Sequence, residues 1–255
     1  MPDPILAASG ITMRFGGLVS VNNMDFSIHK NEIVGIIGPN GAGKTTFFNI
    51  LTGIYIPESG SVSFHGREIK GKKIHEINKM GLARTFQNIR LFRHMTVLET
   101  VMLGMHSKTR SYIFDILLRT PTMRKGEKEA EKKAIELLEL TGLDKYRYEY
   151  GTSLPYGMQR RLEIARAMAA QPEILLLDEP AAGMNEQETE DLSAFIRSLR
   201  EMGYTIILIE HDMRLVMDIC DRIYVLDHGT LIAVGKPEEI SSNPQVIEVY
   251  LGREE

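Results

Sequence analysis

The stretch GPNGAGKTT, residues 38 to 46, decides how the rest of the chain is interpreted. Its two glycines, followed by a lysine and a threonine, have the spacing of a loop that binds phosphate groups. A short, nearly continuous apolar run, Glu32–Ile37, precedes it and is typical of a strand buried on both faces. The residues after it, Thr45–Leu51, predict a helix. Together the strand and the helix favour a phosphate loop over an ordinary glycine-rich turn.

Each residue type in this loop has a physical reason to be there. Phosphate oxygens need several converging backbone N–H donors, and glycine lets the backbone come close enough to supply them. The following helix adds about half a positive charge at its N-terminus, and Lys44 adds a full charge for the β- and γ-phosphates. At ~4 Å and an effective dielectric near 20, that attraction is worth roughly 4 kcal/mol before desolvation.

The loop also predicts a set of contacts with a nucleotide and its metal ion. The hydroxyl of Thr45 suits Mg²⁺, and that of Thr46 suits a phosphate oxygen. The predicted nucleotide contacts are Gly38, Pro39, Asn40, Gly41, Ala42, Gly43, Lys44, Thr45 and Thr46.

A second stretch, ILLLDEP at residues 174 to 180, predicts where the chemistry takes place. A buried strand delivers two consecutive carboxylates at its C-terminal end, where ligands of open α/β sheets bind. We expect Asp178 to hold Mg²⁺, directly or through water. Glu179 points to the other side of the strand, where it can polarise an attacking water. GTPases, kinases and helicases share a phosphate loop, so that loop alone does not reveal the purpose of the nucleotide.

The pattern of the remaining chain indicates an α/β protein with a helix-rich insertion. Residues 1–88 and 161–255 are assigned to the α/β core, and residues 89–160 to a separate helical region. The segment from His106 to Lys125 has no clear assignment. The predicted elements are alternating strands at Ile5–Met13, Asn22–Ile28 and Ser61–Phe64, a helix at Glu127–Leu140, buried strands at Ile174–Leu177 and Thr205–Ile209, and a terminal helix near Val246–Leu251.

Composition narrows the functional classes. The chain has 255 residues, 25% of them charged, and a formal net charge of −4, which argues against a dedicated nucleic-acid binder. The single cysteine, Cys220, excludes an internal disulfide framework. No stretch approaches the ~18 uninterrupted apolar residues of a membrane span. Any association with a membrane is therefore expected to pass through a partner protein.

Further motifs, in a fixed order along the chain, resemble those of the ABC (ATP-binding cassette) ATPases. The segment LPYGMQRRLEIARAM, Leu154 to Met168, resembles their signature segment, whose usual form begins LSGGQ. Gln87 in RTFQN resembles the Q-loop glutamine, and His211 in LIEHD the switch histidine. The segment AAGMN, Ala181 to Asn185, resembles the D-loop, and Phe15 the aromatic residue that stacks on adenine.

The resemblance implies a fold, a site and a mode of action. The fold is a RecA-like P-loop NTPase core with an N-terminal antiparallel β-subdomain and an inserted helical subdomain that carries the signature. ATP would lie between the phosphate loop of one subunit and the signature of another. The implied catalytic residues are Glu179, His211 and Gln87; the metal ligands are Thr45, Gln87 and Asp178; the further nucleotide contacts are Phe15, Leu154, Gly157 and Asn185.

The signature of this chain departs from the family pattern. Pro155 and Tyr156 replace the usual serine and first glycine, and Met158 replaces the glutamine. Proline has neither a hydroxyl nor an N–H, so one donor to the γ-phosphate is lost. The N–H of Gly157 and the helix N-terminus remain as anion donors. Asn185 stands where the D-loop usually has aspartate. We therefore expect the signature side of this chain to be the weaker one.

The full set of motifs resembles the LivG-type subgroup, which serves branched-chain amino-acid uptake. The resemblance implies a second ATP-binding subunit, either a related ATPase or a second copy, and two integral membrane permeases, with no nucleic acid. An extracytoplasmic solute-binding protein would deliver the cargo, and the chain would sit peripherally on the cytoplasmic face of the membrane. We expect the segment Asn88–Val97 to dock on a permease. Uptake of urea or short amides, lipopolysaccharide export and a DNA-directed ATPase remain alternatives.

Overall fold

Two β-sheets and nine α-helices are seen in the computed structural model, which describes residues 3–85, 89–105 and 121–251, with only the backbone for residues 121–125 and 251. Predictions for Gln87 and Asn88, and for residues 106–120, lie outside the described residues. The strands are β1 (Leu6–Phe15), β2 (Leu18–Ile28), β3 (Ile33–Ile37), β4 (Ser59–Phe64), β5 (Arg67–Glu68), β6 (Leu82–Arg84), β7 (Ile174–Asp178), β8 (Thr205–Ile209), β9 (Arg222–Asp227) and β10 (Thr230–Gly235).

The helices of the described residues follow in chain order. They are α1 (Lys44–Leu51), α2 (Ile74–Met80), α3 (Val97–Gly104), α4 (Pro121–Leu140), α5 (Tyr156–Met168), α6 (Glu186–Glu201), α7 (Met213–Ile219), α8 (Pro237–Ser241) and α9 (Pro244–Leu251). None of the helices in the described part of the chain is both long and apolar enough to cross a bilayer.

The smaller sheet is antiparallel and has the strand order β2-β1-β4-β5. The three alternating segments of the sequence form its longer strands, as predicted. Their buried residues, which include Leu6, Ile11 and Met24, face one side. Alternation of buried and exposed residues produces this one-sided burial in an antiparallel strand.

The larger sheet has the order β10-β9-β3-β8-β7-β6. Strand β3 pairs in parallel with β8 and β9, and β7 pairs in parallel with β8 and β6, whereas β10 is antiparallel to β9. Every residue of β3, β7 and β8 is buried. This matches their continuous apolar sequences, because helices or a second sheet cover both faces of a parallel strand.

Three hydrophobic clusters hold these elements together. The first joins the antiparallel sheet and α1 to one face of the larger sheet. The second joins α6 and α7 to the opposite face. The third lies among α3, α4 and α5. Helix α5 contributes Leu162 and Ala165 to the third cluster and Ile164 and Met168 to the second, so the predicted boundary at residue 160 falls inside a helix that belongs to both.

Strands β3, β7 and β8 bring the predicted site together. They are parallel neighbours, with Ile36 opposite Ile209 and Asp178 also opposite Ile209. Their C-terminal ends therefore meet at one edge of the sheet. The phosphate loop follows β3, Glu179 follows β7 and His211 follows β8 at that edge, where open α/β sheets bind their ligands.

Candidate active site

The phosphate loop depends on glycine at two positions. Gly38 has a φ of 149°, and a Cβ there would lie 2.1 Å from the carbonyl oxygen of Leu226. Gly43 has a φ of 97°, and a Cβ there would lie 2.2 Å from the carbonyl oxygen of Ser20. Any side chain at either position would therefore displace backbone. The loop is packed against strand β2 and strand β9, which leaves its shape little freedom.

Lys44 begins helix α1 and directs its ammonium back into the loop. Its Nζ donates hydrogen bonds to the carbonyl oxygens of Gly38, at 2.7 Å, and Pro39, at 3.0 Å. Burial lowers the pKa of this lysine, and the carboxylates of Glu179 and Asp178 act in the opposite direction. The ammonium is thus a buried positive charge near two carboxylates, as a site for phosphate and Mg²⁺ requires.

The start of helix α1 supplies the other donors of the loop. Thr45 is exposed, and Thr46 Oγ1 accepts a hydrogen bond from Ser20 Oγ at 2.8 Å. The first turn of α1 contains no acidic residue. The unpaired N–H groups of a helix N-terminus attract anions, so this end of α1 fits a phosphate group.

Asp178, the predicted metal ligand, forms an ion pair that the sequence did not predict. Its Oδ2 lies 2.7 Å from Nη2 of Arg84 on the neighbouring strand β6, and both side chains are buried. Arg84 also donates to Asn49 Oδ1 at 2.7 Å. The other carboxylate oxygen of Asp178 fits Mg²⁺, directly or through water. Within the described residues, no three or more His, Cys, Asp or Glu side chains are grouped so that they could hold a metal ion.

Glu179 and His211 meet across the ends of β7 and β8. Glu179 Oε1 lies 2.8 Å from His211 Nε2. Glu179 has a φ of 46°, which is uncommon for a residue with a side chain. Such a conformation costs about 1–3 kcal/mol and persists only where its surroundings fix it. Here the Glu179 amide donates to Ile209 O at 2.9 Å, and the Ala182 amide donates to Glu179 O at 3.2 Å.

A buried carboxylate, Glu210, lies beside this pair and was not singled out from the sequence. Its side chain accepts the amide of Ala181 at 2.7 Å and the amide of His211 at 2.9 Å. Burial raises the pKa of Glu210, and these backbone amides act in the opposite direction. One signal was available: Glu210 continues an apolar strand directly into the histidine loop.

The signature helix α5 is tied to the catalytic edge by charged residues inside the protein. Arg160 and Glu163 are fully buried and form an ion pair at 2.8 Å. Arg160 Nη2 also donates to the carbonyl oxygen of Glu179 at 3.4 Å. Glu163 also pairs with Arg166, whose Nη2 lies 3.6 Å from Glu163 Oε1. Arg166 Nη1 donates a hydrogen bond to the carbonyl oxygen of Arg90 at 2.6 Å. No pattern in the sequence predicts this network.

The start of the signature lies against the D-loop of the same chain. Pro155 occupies the N-cap of α5 without a side-chain cap. Asn185 caps α6 by accepting the amide of Glu188 at 3.0 Å, and a Cβ on Gly157 would lie 3.5 Å from the Glu188 carboxylate. Leu154 is buried in the third cluster, so a nucleotide contact there would come from its backbone.

Phe15 lies at the end of β1 and is 43% exposed. Its ring makes an edge-to-face contact with Tyr55, with centroids 5.3 Å apart. A partly exposed aromatic ring that is held by a neighbouring ring suits stacking against a planar base. Gln87, the remaining predicted site residue, lies outside the described residues.

Comparison with known proteins identifies the family. Residues 21–182 match the family model described as ABC transporter, and residues 230–255 match the one described as branched-chain amino acid ATP-binding cassette transporter. The chain is 51% identical, over 99% of both chains, to the high-affinity branched-chain amino acid transport ATP-binding protein LivG of Salmonella typhimurium. It is 49% identical, over the same share of both chains, to the corresponding protein BraF of Pseudomonas aeruginosa.

Solved structures give the same result for the fold. A nucleotide-free ATP-binding cassette from an ABC transporter superposes with a TM-score of 0.85 at 30% identity, covering 97% of this chain and 98% of that one. An ATP-binding cassette in its ADP conformation also has a TM-score of 0.85, at 29% identity, covering 99% of this chain and 100% of that one. The predicted ABC ATPase fold is confirmed. In sequence and in fold, the chain belongs to the ABC transporter family and is one of that family's ATPase subunits.

Proposed function

We propose that the chain hydrolyses ATP to drive the uptake of branched-chain amino acids through a membrane transporter. One structural observation supports the proposed hydrolysis of ATP. Glu179 Oε1 lies 2.8 Å from His211 Nε2, at the same sheet edge as the phosphate loop and Asp178. The cargo rests on the names of relatives that match the chain over 99% of its length, and on the second family match at residues 230–255.

ATP binding is assigned to the phosphate loop and Asp178 at this edge, to Phe15 at the end of β1, and to Gln87. Phe15 stacks on adenine, and the loop from Gly38 to Thr46 surrounds the phosphates. Lys44 faces the β- and γ-phosphates with its ammonium. Thr45, Asp178 and Gln87 would hold Mg²⁺, which would neutralise charge on the phosphate oxygens.

Hydrolysis is assigned to Glu179 and His211. A water molecule attacks the γ-phosphorus, the bond from that phosphorus to the β–γ bridging oxygen breaks, and ADP leaves. Glu179 orients the water and accepts its proton. His211, which contacts the carboxylate of Glu179, donates a hydrogen bond to the γ-phosphate oxygens as charge develops on them. Gln87 helps to position the water.

The assembly contains further subunits. As the ATPase subunit of an importer, the chain works with membrane permeases, and we assign two of them. A second ATP-binding subunit, a related ATPase or a second copy, completes the site by facing this phosphate loop with its own signature. An extracytoplasmic binding protein supplies the amino acid, and the chain lies on the cytoplasmic face of the membrane.

The permease is assigned to the surface around Phe92, which is 56% exposed in the loop that precedes α3. Leu91 is only partly exposed and packs against the third cluster, and Val97 is fully buried within it. Phe92 is therefore the better candidate for a direct contact within the predicted segment Asn88–Val97, whose first residue lies outside the described residues.

A transport assay tests the proposal. Cells that lack their own leucine uptake would produce the chain together with its permeases and binding protein. Accumulation of labelled leucine would then be compared with accumulation of labelled urea. We expect leucine uptake in the wild type and none with Glu179→Gln. Accumulation of urea without leucine would assign a different cargo to the same ATPase.

A further inference from the structure

Glu210 links the two loops that carry the proposed hydrolytic residues. One carboxylate oxygen, Oε1, accepts the amide of Ala181 at 2.7 Å, in the loop that begins with Glu179. The other oxygen, Oε2, accepts the amide of His211 at 2.9 Å, in the next loop of the edge. The side chain is only 3% exposed, so water does not compete for these bonds.

The loop after β7 needs such support because its first residue is strained. Glu179 has a φ of 46° and is followed by Pro180, whose ring fixes its own φ and restricts the residue before it. A non-glycine residue stays in this conformation only when neighbouring contacts determine it. The amide of Ala181 is the first amide after the strained residue, since Pro180 has none, and Glu210 binds it.

We propose that Glu210 is a positioning residue for ATP hydrolysis: by binding both loops it holds the carboxylate of Glu179 against the imidazole of His211. The inference rests on the proposed roles of Glu179 and His211. Glu210 itself contacts backbone amides and acts on the reaction only through the geometry of its two neighbours.

Two properties of the side chain are needed for this role, its two acceptor oxygens and its length. Glutamine has the same size but offers only one acceptor oxygen, so its NH₂ group would face one of the two backbone N–H donors. Aspartate keeps both oxygens and the charge but is one methylene shorter, so it cannot reach both loops from the same backbone position. Each variant removes one property and keeps the other.

The test compares Glu210→Gln and Glu210→Asp with Glu173→Gln in the full-length protein. Glu173 is half-exposed, pairs with His65 and precedes β7 at the opposite edge of the sheet, so it is a matched control for the same substitution. We expect both Glu210 variants to lower kcat for ATP about tenfold or more, part of the 10²–10⁴ that a positioned base contributes. KM and the dissociation constant of a fluorescent ATP analogue should stay within about twofold, because the phosphate loop is untouched.

A double variant separates positioning from a general structural role. In the Glu179→Gln background, adding Glu210→Gln should cause no further loss of kcat, because the group that Glu210 positions is already absent. The proposal is overturned if either Glu210 variant keeps a near-normal kcat, if the two losses multiply, or if ATP binding weakens as much as kcat falls. If Glu179→Gln itself hydrolyses ATP normally, the proposed mechanism fails first, and the inference fails with it.

Discussion

The imidazole of His211 contacts the carboxylate of Glu179 at 2.8 Å, although the two residues belong to loops that follow different strands. The variant Glu179→Gln keeps the size of the side chain and removes its basicity. We expect kcat to fall by 10²–10⁴, or about 3–5 kcal/mol of barrier. ATP binding should persist, so the protein should accumulate as an ATP-bound dimer with its natural partner. Phosphate release and size-exclusion chromatography with MgATP measure both effects.

The control for that variant is Lys44→Ala, which removes a positive charge needed both in the ATP-bound ground state and in the transition state. We expect it to weaken ATP binding itself, because the buried ammonium contacts the loop that surrounds the phosphates. Near-normal hydrolysis by Glu179→Gln would transfer the water-activating role to another residue, with His211 the next candidate. Failure of Glu179→Gln to bind ATP would make Glu179 a structural or metal-site residue.

Pro155 provides a test of the altered signature. It is exposed at the N-cap of α5, where serine caps a helix better. Replacing proline lowers the free energy of unfolding by about 0.4–1 kcal/mol, because the unfolded chain gains conformational entropy. A serine at the N-cap raises it by a similar amount. We expect Pro155→Ser to leave the free energy of unfolding within about 1 kcal/mol. ATP turnover in the assembled transporter should rise, because a hydroxyl donor to the partner's nucleotide is restored. Unchanged turnover would show that the backbone N–H groups suffice.

Phe92 tests the assignment of the permease surface. Phe92→Glu places a charge on an apolar side chain that is 56% exposed, so the isolated protein should fold and hydrolyse ATP normally. Transport should be lost, because a permease helix would have to bury that charge. Met202→Glu, at an exposed methionine beyond the end of α6, is the matched control and should transport normally. A lower ATP affinity in Phe92→Glu would contradict the docking assignment.

Cys220 tests how tightly the second cluster is packed. The Sγ atom of Cys220 would lie 2.9 Å from a Cβ on Gly35, so the two residues are closely packed. Burial raises the pKa of the Cys220 thiol. A raised pKa lowers the thiolate fraction at neutral pH, and the thiolate is the reactive form. We expect the native protein to react slowly with a thiol reagent, and denaturant to make the reaction fast and stoichiometric. The variant Cys220→Ser, which has no cysteine, gives the background rate of the assay. Rapid labelling of the native protein would indicate frequent opening of this cluster.

The sequence predicted the parts of the site whose chemistry is local. The sequence alone leads to a proposal for the phosphate loop, Asp178 and Glu179, because each motif consists of residues next to one another in the chain. The strands were found for the same reason, since alternation and continuous apolar runs are local patterns.

Buried charges were missed because their partners are distant in sequence. Arg84 pairs with Asp178, Arg160 reaches Glu179, and Glu210 binds Ala181. A charged residue in an amphipathic segment is expected on the solvent side, and only the tertiary structure supplies a buried partner. The same limit applies to Val97, which the sequence placed on the docking surface and the structure places in the third cluster.

The position of β3 between β8 and β9 has a consequence for synthesis of the protein. Val34 pairs with Ile207 on one side and with Arg222 on the other. At a translation rate of about 5–20 residues per second, β3 is made roughly 10 to 40 s before the last of these partners. During that interval an apolar strand has unpaired N–H and C=O groups on both edges, which other chains can bind. The nascent chain therefore needs protection from aggregation until about residue 225, and a chain that stops earlier cannot form the nucleotide site.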